Sequence, residues 1–352
     1  MSSKKTALVT GGNGIIGSNL ARYLIQTGNW DVIITSRSGL HYETSAKFVA
    51  MDLTNPKGVE AKAEELKSVT HVFFGSYVEK QNLAEQTSVN LALIQNLVTG
   101  IEQVAPGFEH ITFIQGGKAY GAHLGIYKTP AKETDLRSFP PNFYYSQEDF
   151  LRKASQGKKW NWTALRPDIV IGFTIGNPMN LSNLIAVYAS MCRELGVAMR
   201  FPGTPKAYKV LVNVTGVDVL SESMEWAALN ENTRNEIFNI TNGDVFRWEQ
   251  AWKKFGDFFG VETDEPQTFP LQEYMADKEP LWNEMVKKYQ LAPYSLNQLV
   301  QWAFGDFIFN TEYDAFMDVN KARRFGFHEM HTDSIEYMLG TFQTLKDKKI
   351  IP

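Results

Sequence analysis

The sequence has a single cysteine and no long hydrophobic run. Cys192 is the only cysteine among 352 residues, which excludes an internal disulfide framework and suits a reducing compartment. No stretch approaches the about 18 consecutive apolar residues that a membrane span needs. A strand-like segment already begins at Thr6, which leaves no room before it for the apolar part of a secretory signal. We therefore expect a cytoplasmic protein in which Cys192 is a core residue rather than a nucleophile.

Clustered positive charge and metal-ligand spacing are missing as well. The formal net charge is −4, and the basic residues do not gather into the patch that nucleic acids require. Of the six histidines only His328 and His331 lie close in sequence, and no third ligand accompanies them. We expect no nucleic-acid partner, no membrane association and no metal site.

Short β-branched runs alternate with helical patterns over the first 115 residues, as is typical of a parallel sheet covered by helices. The predicted strands are Thr6–Thr10, Val32–Thr35, Phe48–Met51, Thr70–Phe74 and Ile111–Ile114, and the predicted helices are Ile15–Gln26 and one through Leu91–Val104. Helical segments dominate from Trp248 onward. The sequence predicts an α/β fold with a Rossmann-type doubly wound sheet in residues 1–172 and a smaller, mainly helical substrate lobe in residues 173–352. We expect the two to interleave, so this boundary is approximate.

A glycine-rich turn follows the first predicted strand and opens the first predicted helix. It reads Thr10-Gly-Gly-Asn-Gly-Ile-Ile-Gly-Ser18, and its GxxGxxG spacing is specific only because of that position between strand and helix. Gly11 permits the tight turn, Gly14 lets a pyrophosphate approach the backbone, and Gly17 lets the helix pack closely on the sheet. The helix N-terminus then stabilises the phosphate charge. The predicted dinucleotide contacts in this turn are Gly11, Asn13, Gly14, Ile15, Ile16 and Gly17.

The end of the second predicted strand indicates which dinucleotide binds. Sites that prefer NAD place a carboxylate there to bind the ribose 2′-hydroxyl. This chain instead has Thr35-Ser36-Arg37-Ser38, and the Arg37 guanidinium can pair with a 2′-phosphate. An ordinary exposed arginine is the alternative. The sequence therefore predicts NADPH, with Asp52 and Leu53 beside the adenine.

The Tyr-x-x-x-Lys motif of short-chain dehydrogenases is absent from its usual place. The corresponding region reads Asn142-Phe-Tyr-Tyr-Ser-Gln-Glu-Asp149, and the residue four past Tyr144 is Glu148. A formal match occurs at Tyr274-Met-Ala-Asp-Lys278, far along the chain in a helical segment. We interpret that match as a coincidence.

Several segments, in order along nearly the whole chain, carry a family resemblance. Besides the glycine-rich turn they are Thr70-His-Val-Phe-Phe74, Gln115-Gly-Gly-Lys-Ala-Tyr120, Asn142-Phe-Tyr-Tyr-Ser-Gln-Glu-Asp149, Arg166-Pro-Asp-Ile-Val-Ile-Gly-Phe173, Asn235-Glu-Ile-Phe-Asn239, Asn242-Gly-Asp-Val-Phe-Arg-Trp248 and Lys349-Ile-Ile-Pro352. With them the chain resembles the progesterone 5β-reductase/iridoid synthase-like family, an atypical branch of the extended short-chain dehydrogenases.

The resemblance implies roles for particular residues. Lys118 and Tyr144 stand at the family's catalytic positions. The family's further cofactor contacts fall on Ser36, Arg37, Asp52, Leu53, Ser76, Tyr77, Gln115, Lys118, Tyr144, Val170, Asn177, Pro178 and Met179, and its substrate contacts on Tyr77, Tyr145 and Phe304. Two departures bear on the substrate: Tyr77 stands where plant members have tryptophan, and Ala303 replaces one tryptophan of a Trp-Trp-Phe segment.

The reaction implied by the resemblance is the 1,4-reduction of an enone or enal that has a small apolar body. Such a reaction needs a hydrogen-bond donor where negative charge builds on the carbonyl oxygen. We expect the Tyr144 hydroxyl to donate, the Lys118 ammonium to strengthen it by favouring the phenolate, and Tyr145 to pack. The alternatives are a carbonyl reductase or sugar-nucleotide epimerase and, from another class, a non-catalytic NADPH-sensing module. A homodimer is expected from the family alone.

Overall fold

Nine β-strands are present in the computed structural model, which describes residues 4–352. In chain order they are β1 (Lys5–Thr10), β2 (Trp30–Ser36), β3 (Lys47–Ala50), β4 (His71–Phe74), β5 (His110–Ile114), β6 (Asn161–Pro167), β7 (Ile169–Ile171), β8 (Val214–Gly216) and β9 (Glu236–Ile240). Seven form a parallel sheet in the order β3-β2-β1-β4-β5-β6-β9, and β7 pairs with β8. The predicted doubly wound parallel sheet is therefore confirmed.

Thirteen α-helices lie in the same described part of the chain. They are α1 (Ile15–Thr27), α2 (Ala63–Leu66), α3 (Leu83–Val104), α4 (Phe143–Ala154), α5 (Leu181–Leu195), α6 (Val217–Leu229), α7 (Trp248–Phe259), α8 (Leu271–Tyr274), α9 (Glu279–Tyr289), α10 (Leu296–Leu299), α11 (Trp302–Phe309), α12 (Asn320–Arg324) and α13 (Ser334–Asp347). Among residues 4–352, none of these helices combines the length and the apolar character needed to cross a membrane.

The five predicted strands correspond to β1–β5, with ends that differ by one or two residues. Helix α1 begins at Ile15 as predicted, and α3 begins at Leu83, eight residues before the predicted segment. This earlier start has a local cause, because the Asn82 side chain accepts hydrogen bonds from the backbone N–H groups of Ala84 and Glu85. An asparagine in this position satisfies N–H groups that the first turn of a helix leaves unpaired.

The first of two structural units holds the seven-stranded sheet. It comprises the described residues up to Asp168 together with Val217–Ile240 and Asp318–Glu329. Helix α1 packs with α6, and α3 packs with α4. Because parallel crossovers are right-handed, and because the strand order reverses between β1 and β4, these two helix pairs cover opposite faces of the sheet. One core consists of apolar side chains from the strands and from α3, including Leu93, Leu97 and Ile101.

The second unit is mainly helical and contains the strand pair β7–β8. It comprises Ile169–Gly216, Thr241–Met317 and Met330–Pro352. Its core is built on α5, whose residues from Leu181 to Cys192 are all buried, and on large aromatic side chains such as Trp248, Trp252 and Phe309. Both units are thus discontinuous in sequence, and the first includes two segments that lie beyond the predicted boundary at residue 172.

Candidate active site

The glycine-rich turn connects β1 to α1 at the end of the sheet where the strand order reverses. Gly11 has φ +73°, and a Cβ built there would lie 2.7 Å from the carbonyl oxygen of Gly75, which follows β4. A Cβ on Gly17 would lie 2.4 Å from the Gly11 carbonyl oxygen. Only glycine therefore allows the turn, α1 and the end of β4 to approach so closely.

The N-terminus of α1 carries no competing side chain. Gly14 is the N-cap residue, no side chain caps the helix, and the first turn contains no acidic residue. The unpaired N–H groups and the positive end of the helix dipole are therefore directed at whatever binds beside the turn. This is the arrangement that binds a pyrophosphate.

Asn13 connects this turn to the segment that follows β2. Its Nδ2 donates to the Gly39 carbonyl oxygen at 3.0 Å, and its Oδ1 accepts the His41 backbone N–H at 3.1 Å. Ser36 is partly exposed and Arg37 exposed. Ser36 and Arg37, the residues predicted to bind a 2′-phosphate, thus lie close to a segment that Asn13 links to the glycine-rich turn by hydrogen bonds.

Asp52 and Leu53 follow β3 and differ in exposure. Two hydrogen bonds from Thr54, from its backbone N–H at 2.9 Å and its hydroxyl at 2.8 Å, lower the pKa of Asp52, and the Arg37 guanidinium lowers it further. Leu53 is buried, and its carbonyl oxygen accepts from Asn96 Nδ2 at 2.8 Å. The side chain of Asp52 is therefore exposed near Arg37, whereas that of Leu53 belongs to the core.

Ser76 and Tyr77 follow β4 on a segment that a buried asparagine fixes. Asn90 of α3 accepts the Val78 backbone N–H at 2.9 Å and donates to the Val78 carbonyl oxygen at 2.7 Å. Ser76 is partly exposed and Tyr77 exposed, as residues that contact a ligand must be. Tyr77 is 40% exposed, and partial burial of its ring raises the pKa of the hydroxyl to about 12, so the hydroxyl stays protonated at neutral pH.

Lys118 follows β5 and lies in the 3₁₀ turn Gly117–Tyr120. The strand ends at Ile114, and two glycines, Gly116 and Gly117, stand between Gln115 and Lys118. Glycine is unfavourable within a strand, which accounts for the early end. The Lys118 side chain is exposed, and after burial its charge is the second cause that lowers the pKa of His123.

Tyr144 lies in the first turn of α4 with its hydroxyl beside Gly116. A Cβ on Gly116 would lie 3.2 Å from the Tyr144 Oη, so this glycine leaves space for the hydroxyl. Burial raises the pKa of Tyr144, and the nearby Tyr77 adds to the rise while Arg166 opposes it. The side chain is therefore a neutral hydroxyl at rest, and Lys118 is not among the groups that shift its pKa.

The two adjacent tyrosines differ in what their hydroxyls bind. Across residues 4–352, the Tyr144 hydroxyl makes no hydrogen bond to another residue. Tyr145 is buried, and its hydroxyl accepts the Ser138 N–H at 2.7 Å and donates to the Ala119 carbonyl oxygen at 2.8 Å. The Tyr144 hydroxyl is therefore available as a hydrogen-bond donor, whereas the Tyr145 side chain is packed in the core and exposes little surface to a substrate.

Glu148 occupies the position of the missing lysine and is held by arginines. Its side chain is only 4% exposed. The carboxylate accepts from Arg137 and from Arg152 at 3.0 Å each, and it lies 3.5 Å from the Arg166 guanidinium. The position that carries a cation in other short-chain enzymes is here a buried anion.

Gln115, predicted to contact the cofactor, uses its side chain within this cluster. Its Nε2 donates to the Tyr144 carbonyl oxygen and to Glu148 at 3.2 Å each, and its Oε1 accepts from Arg166 Nε at 2.7 Å. The side chain is buried. Gln115 therefore supports the backbone of Tyr144, and little of its amide is left for a ligand.

The remaining predicted contacts belong to the second unit. Val170 lies in β7 and is partly exposed, while Asn177–Met179 form the loop before α5, where the Pro178 carbonyl oxygen accepts the Gln301 N–H at 2.9 Å. Phe304 is a partly exposed residue of α11 that packs against the core of this unit.

Cys192 and the formal Tyr274–Lys278 match border one small cavity of about 290 Å³ in the second unit. Burial raises the pKa of the Cys192 thiol to about 11, so the thiol is protonated at neutral pH and the predicted core position is confirmed. Tyr274 is exposed at the end of α8, and Lys278 forms an ion pair with Asp277. Within the described range 4–352, no three His, Cys, Asp or Glu side chains gather as metal ligands.

Sequence reasoning missed Asn142, Glu148 and Arg166 as parts of the site. A helix N-cap signal is visible in Asn142 before Phe-Tyr-Tyr. The Arg152–Glu148 pair spans four residues of α4, but the contact of Glu148 with Arg166 and the bond from Arg166 to Gln115 join residues far apart in sequence, so no periodic pattern could reveal them.

Comparison with known families and curated proteins gives full-length matches. A family model described as a PRISE-like Rossmann-fold domain matches residues 50–352, and a KR domain model matches residues 5–90. A short-chain dehydrogenase of Penicillium aethiopicum is 34% identical over 99% of both chains. An (S)-8-oxocitronellyl enol synthase of Nepeta cataria is 31% identical, with 98% of this chain and 91% of the relative covered. A 3-oxo-Δ4,5-steroid 5β-reductase of Arabidopsis thaliana is 29% identical, with 100% and 94% covered.

Solved structures with a similar fold include two sugar-nucleotide epimerases. The UDP-glucose 4-epimerase of Thermotoga maritima superposes with a TM-score of 0.69 at 19% identity, covering 97% of this chain and 99% of that one. The Thermus thermophilus UDP-glucose 4-epimerase in complex with NAD gives a TM-score of 0.69 at 18% identity, with 97% and 99% covered. At such low identity the likeness establishes the fold and nothing about the reaction.

Proposed function

Since the chain belongs to the PRISE-like Rossmann-fold family, whose named relatives include an enol synthase and a steroid 5β-reductase, we propose that it is an NADPH-dependent reductase of activated C=C bonds. The chain is an oxidoreductase of the short-chain type with a nicotinamide cofactor. The proposed reaction is the 1,4-reduction of an enone or enal. When bound, the reduced nicotinamide supplies the hydride.

The residues around the glycine-rich turn suit such a cofactor. The uncapped N-terminus of α1 suits its pyrophosphate, and Gly11 and Gly17 supply the close backbone approach. Arg37 is exposed, and Ser36 replaces the carboxylate that would select NAD. These features support NADPH.

The observation that carries the proposal is the free, protonated hydroxyl of Tyr144. The hydroxyl accepts no hydrogen bond from another described residue and donates none to one, so it can donate a hydrogen bond to a substrate oxygen. In a 1,4-reduction the negative charge gathers on the carbonyl oxygen, and a donor fixed at that oxygen lowers the barrier. Tyr144 then holds the hydrogen bond while charge develops, and the family resemblance assigns the exposed Lys118 as the second catalytic residue.

A carbonyl reductase or sugar-nucleotide epimerase of the short-chain class is the second candidate, because the chain is 34% identical to a protein named only as a short-chain dehydrogenase. The buried Glu148 argues against it, since those chemistries in short-chain enzymes rely on the Tyr-x-x-x-Lys pair. A non-catalytic NADPH-sensing module is the third candidate. A protonated hydroxyl with no protein partner argues against that one, because a purely regulatory site has no need of it.

Tyr144→Phe tests the assignment, with Tyr145→Phe as the matched control. Tyr144→Phe should lower kcat for a weakly activated enone by about 10²–10³, the cost of one oxyanion donor. Its unfolding midpoint in urea should not change, because no protein hydrogen bond is lost. Tyr145→Phe should lower kcat much less than Tyr144→Phe does, but it should lose about 1–3 kcal/mol of stability, because its buried partners are left unpaired.

NADPH oxidation with enones and with aldehydes separates the candidates. Turnover of enones alone supports the proposal, turnover of aldehydes alone supports a carbonyl reductase, and NADPH binding without turnover supports a sensor. Nearly full enone turnover by Tyr144→Phe would refute the role of Tyr144.

A further inference from the structure

Asn142 hydrogen-bonds to both residues that the proposed reaction uses. Its Oδ1 accepts the Tyr144 backbone N–H at 3.0 Å, and its Nδ2 donates to the Lys118 carbonyl oxygen at 2.8 Å. The side chain is 7% exposed. A single buried amide group therefore links the backbones of Lys118 and Tyr144 directly.

The segment between these two residues combines buried anchors with exposed stretches. The Tyr120 hydroxyl contacts Asn239 of β9, and the Ala131 carbonyl oxygen accepts from Asn239 Nδ2 at 3.0 Å. Large apolar side chains elsewhere in the segment are exposed, among them Ile126 at 83% and Leu136 at 93%. These anchors attach the segment to β9, and hydrogen bonds between the Lys118 turn and the start of α4 connect that turn directly to the helix that carries Tyr144.

Two side chains provide those bonds, and they reach different residues. The Tyr145 hydroxyl donates to the Ala119 carbonyl oxygen, next to Lys118. Asn142 is the one that reaches Lys118 itself, and it does so from the N-cap position of α4, which has extended φ and ψ of −146° and 115°. The same residue thus starts the helix that carries Tyr144 and sets the turn that carries Lys118.

We propose that Asn142 is a positioning residue, which holds Lys118 at a fixed place relative to the Tyr144 hydroxyl during hydride transfer. This inference rests on the proposed reductase function. Asn142 contacts no reacting atom, and it acts by fixing two backbone positions. Since rate depends steeply on such placement, displacement of the Lys118 turn by about 1 Å can cost up to about 10²-fold.

Asn142→Asp separates the two hydrogen bonds of the amide. Aspartate is as good an N-cap residue as asparagine, so the bond from the Tyr144 N–H is retained. The carboxylate has no proton to donate, and it would face the Lys118 carbonyl oxygen with a second acceptor. The helix start is therefore kept, whereas the bond to Lys118 becomes a repulsion. Asn142→Ala removes both interactions and adds no repulsion.

The experiment compares kcat, KM and the urea midpoint of the full-length protein for these two variants, with enone and NADPH as substrates. Asn142→Asp should lower kcat about 10- to 100-fold, with KM for NADPH within about threefold of the unaltered protein. Asn142→Ala should have the lower urea midpoint but lose no more kcat than Asn142→Asp. If Asn142 had a purely structural role, kcat would follow stability, and the less stable Asn142→Ala would then have the lower kcat of the two variants.

Asn82→Asp is the matched control, because Asn82 is the N-cap residue of α3 and makes the same kind of cap in an exposed position. It should leave kcat and the urea midpoint unchanged. If Tyr144→Phe is slow but Asn142→Asp keeps kcat within twofold, the inference about Asn142 is wrong and the proposed function stands. If Tyr144→Phe is itself fully active, the role of Tyr144 is wrong and the inference about Asn142 fails with it, whereas absence of enone turnover by the unaltered protein would refute the proposed function.

Discussion

Replacing Glu148 by lysine would recreate the Tyr-x-x-x-Lys spacing that this chain lacks, and we predict that the variant will not fold stably. The reason lies in the surroundings of the carboxylate. Glu148 is buried, accepts from Arg137 and Arg152 at 3.0 Å, and faces Arg166 at 3.5 Å. Glu148→Lys would therefore place a second cation beside an arginine that is itself almost fully buried.

The size of the effect follows from two contributions. Removal of one partner from a buried ion pair costs about 3–5 kcal/mol. The new repulsion is counted against Arg166 alone, because Arg137 and Arg152 are more exposed and screened by water. At about 4 Å and an effective dielectric constant of about 20, two like charges repel by about 4 kcal/mol. The sum, about 7–9 kcal/mol, is comparable to the whole stability of a typical domain at about 5–15 kcal/mol.

Urea unfolding followed by circular dichroism measures this loss. Glu148→Gln should lose about 3–5 kcal/mol, since it removes the charge and adds no repulsion. Asp149→Lys is the control on the next residue, because Asp149 also pairs with Arg137, at 2.7 Å, but its side chain is 58% exposed. It should cost no more than about 1 kcal/mol. A Glu148→Lys protein within about 2 kcal/mol of the unaltered one would refute this reasoning.

Two further predictions concern the cofactor and pH. NADPH should bind at least about tenfold more tightly than NADH, a difference of about 1.4 kcal/mol, and Arg37→Ala should remove most of this gap. Fluorescence titration measures both dissociation constants, and equal values for the unaltered protein would contradict the assignment. Burial lowers the pKa of both His71 and His110 to about 3, whereas unfolded histidine titrates near about 6.5, so stability should fall as pH drops below about 6.5, by about 1.4 kcal/mol per pH unit for each ring. His110→Gln should reduce that slope between pH 7 and 5 in urea unfolding, whereas the same change at the exposed His41 should leave it unaltered.

The sequence predicted those parts of the fold that follow from local patterns. Strands β1–β5 are short β-branched runs between turns, and their alternation with helices is enough to predict a parallel sheet. Strands β6 and β9 were not predicted, because a buried polar residue interrupts the apolar run of each, Arg166 in β6 and Asn239 in β9. The ends of α5 were not identified, because a helix buried on every side has no polar face to mark it.

The candidate site divides in the same way. The glycine turn could be predicted because its function depends on backbone space, and the residue type itself records that requirement. The catalytic roles of Lys118 and Tyr144 came from the family resemblance, and they remain predictions. The residue pattern alone does not show that the Tyr144 hydroxyl is free while the Tyr145 hydroxyl is hydrogen-bonded. The difference depends on the backbone groups of Ser138 and Ala119, which bind the Tyr145 hydroxyl only in the folded chain.

The asparagines beside the site bind backbone groups, and this has a consequence for how the chain can diverge. Asn90 holds the N–H and carbonyl of Val78, and Asn142 holds the carbonyl of Lys118 and the N–H of Tyr144. Every amino acid except proline offers these same groups, so the bonds do not depend on which side chains the neighbouring loops carry. Exposed positions such as Leu124 and Phe139 can therefore be exchanged during evolution without moving Lys118 or Tyr144. The backbone geometry around Lys118 and Tyr144 can thus be inherited while the sequence of the exposed loops changes.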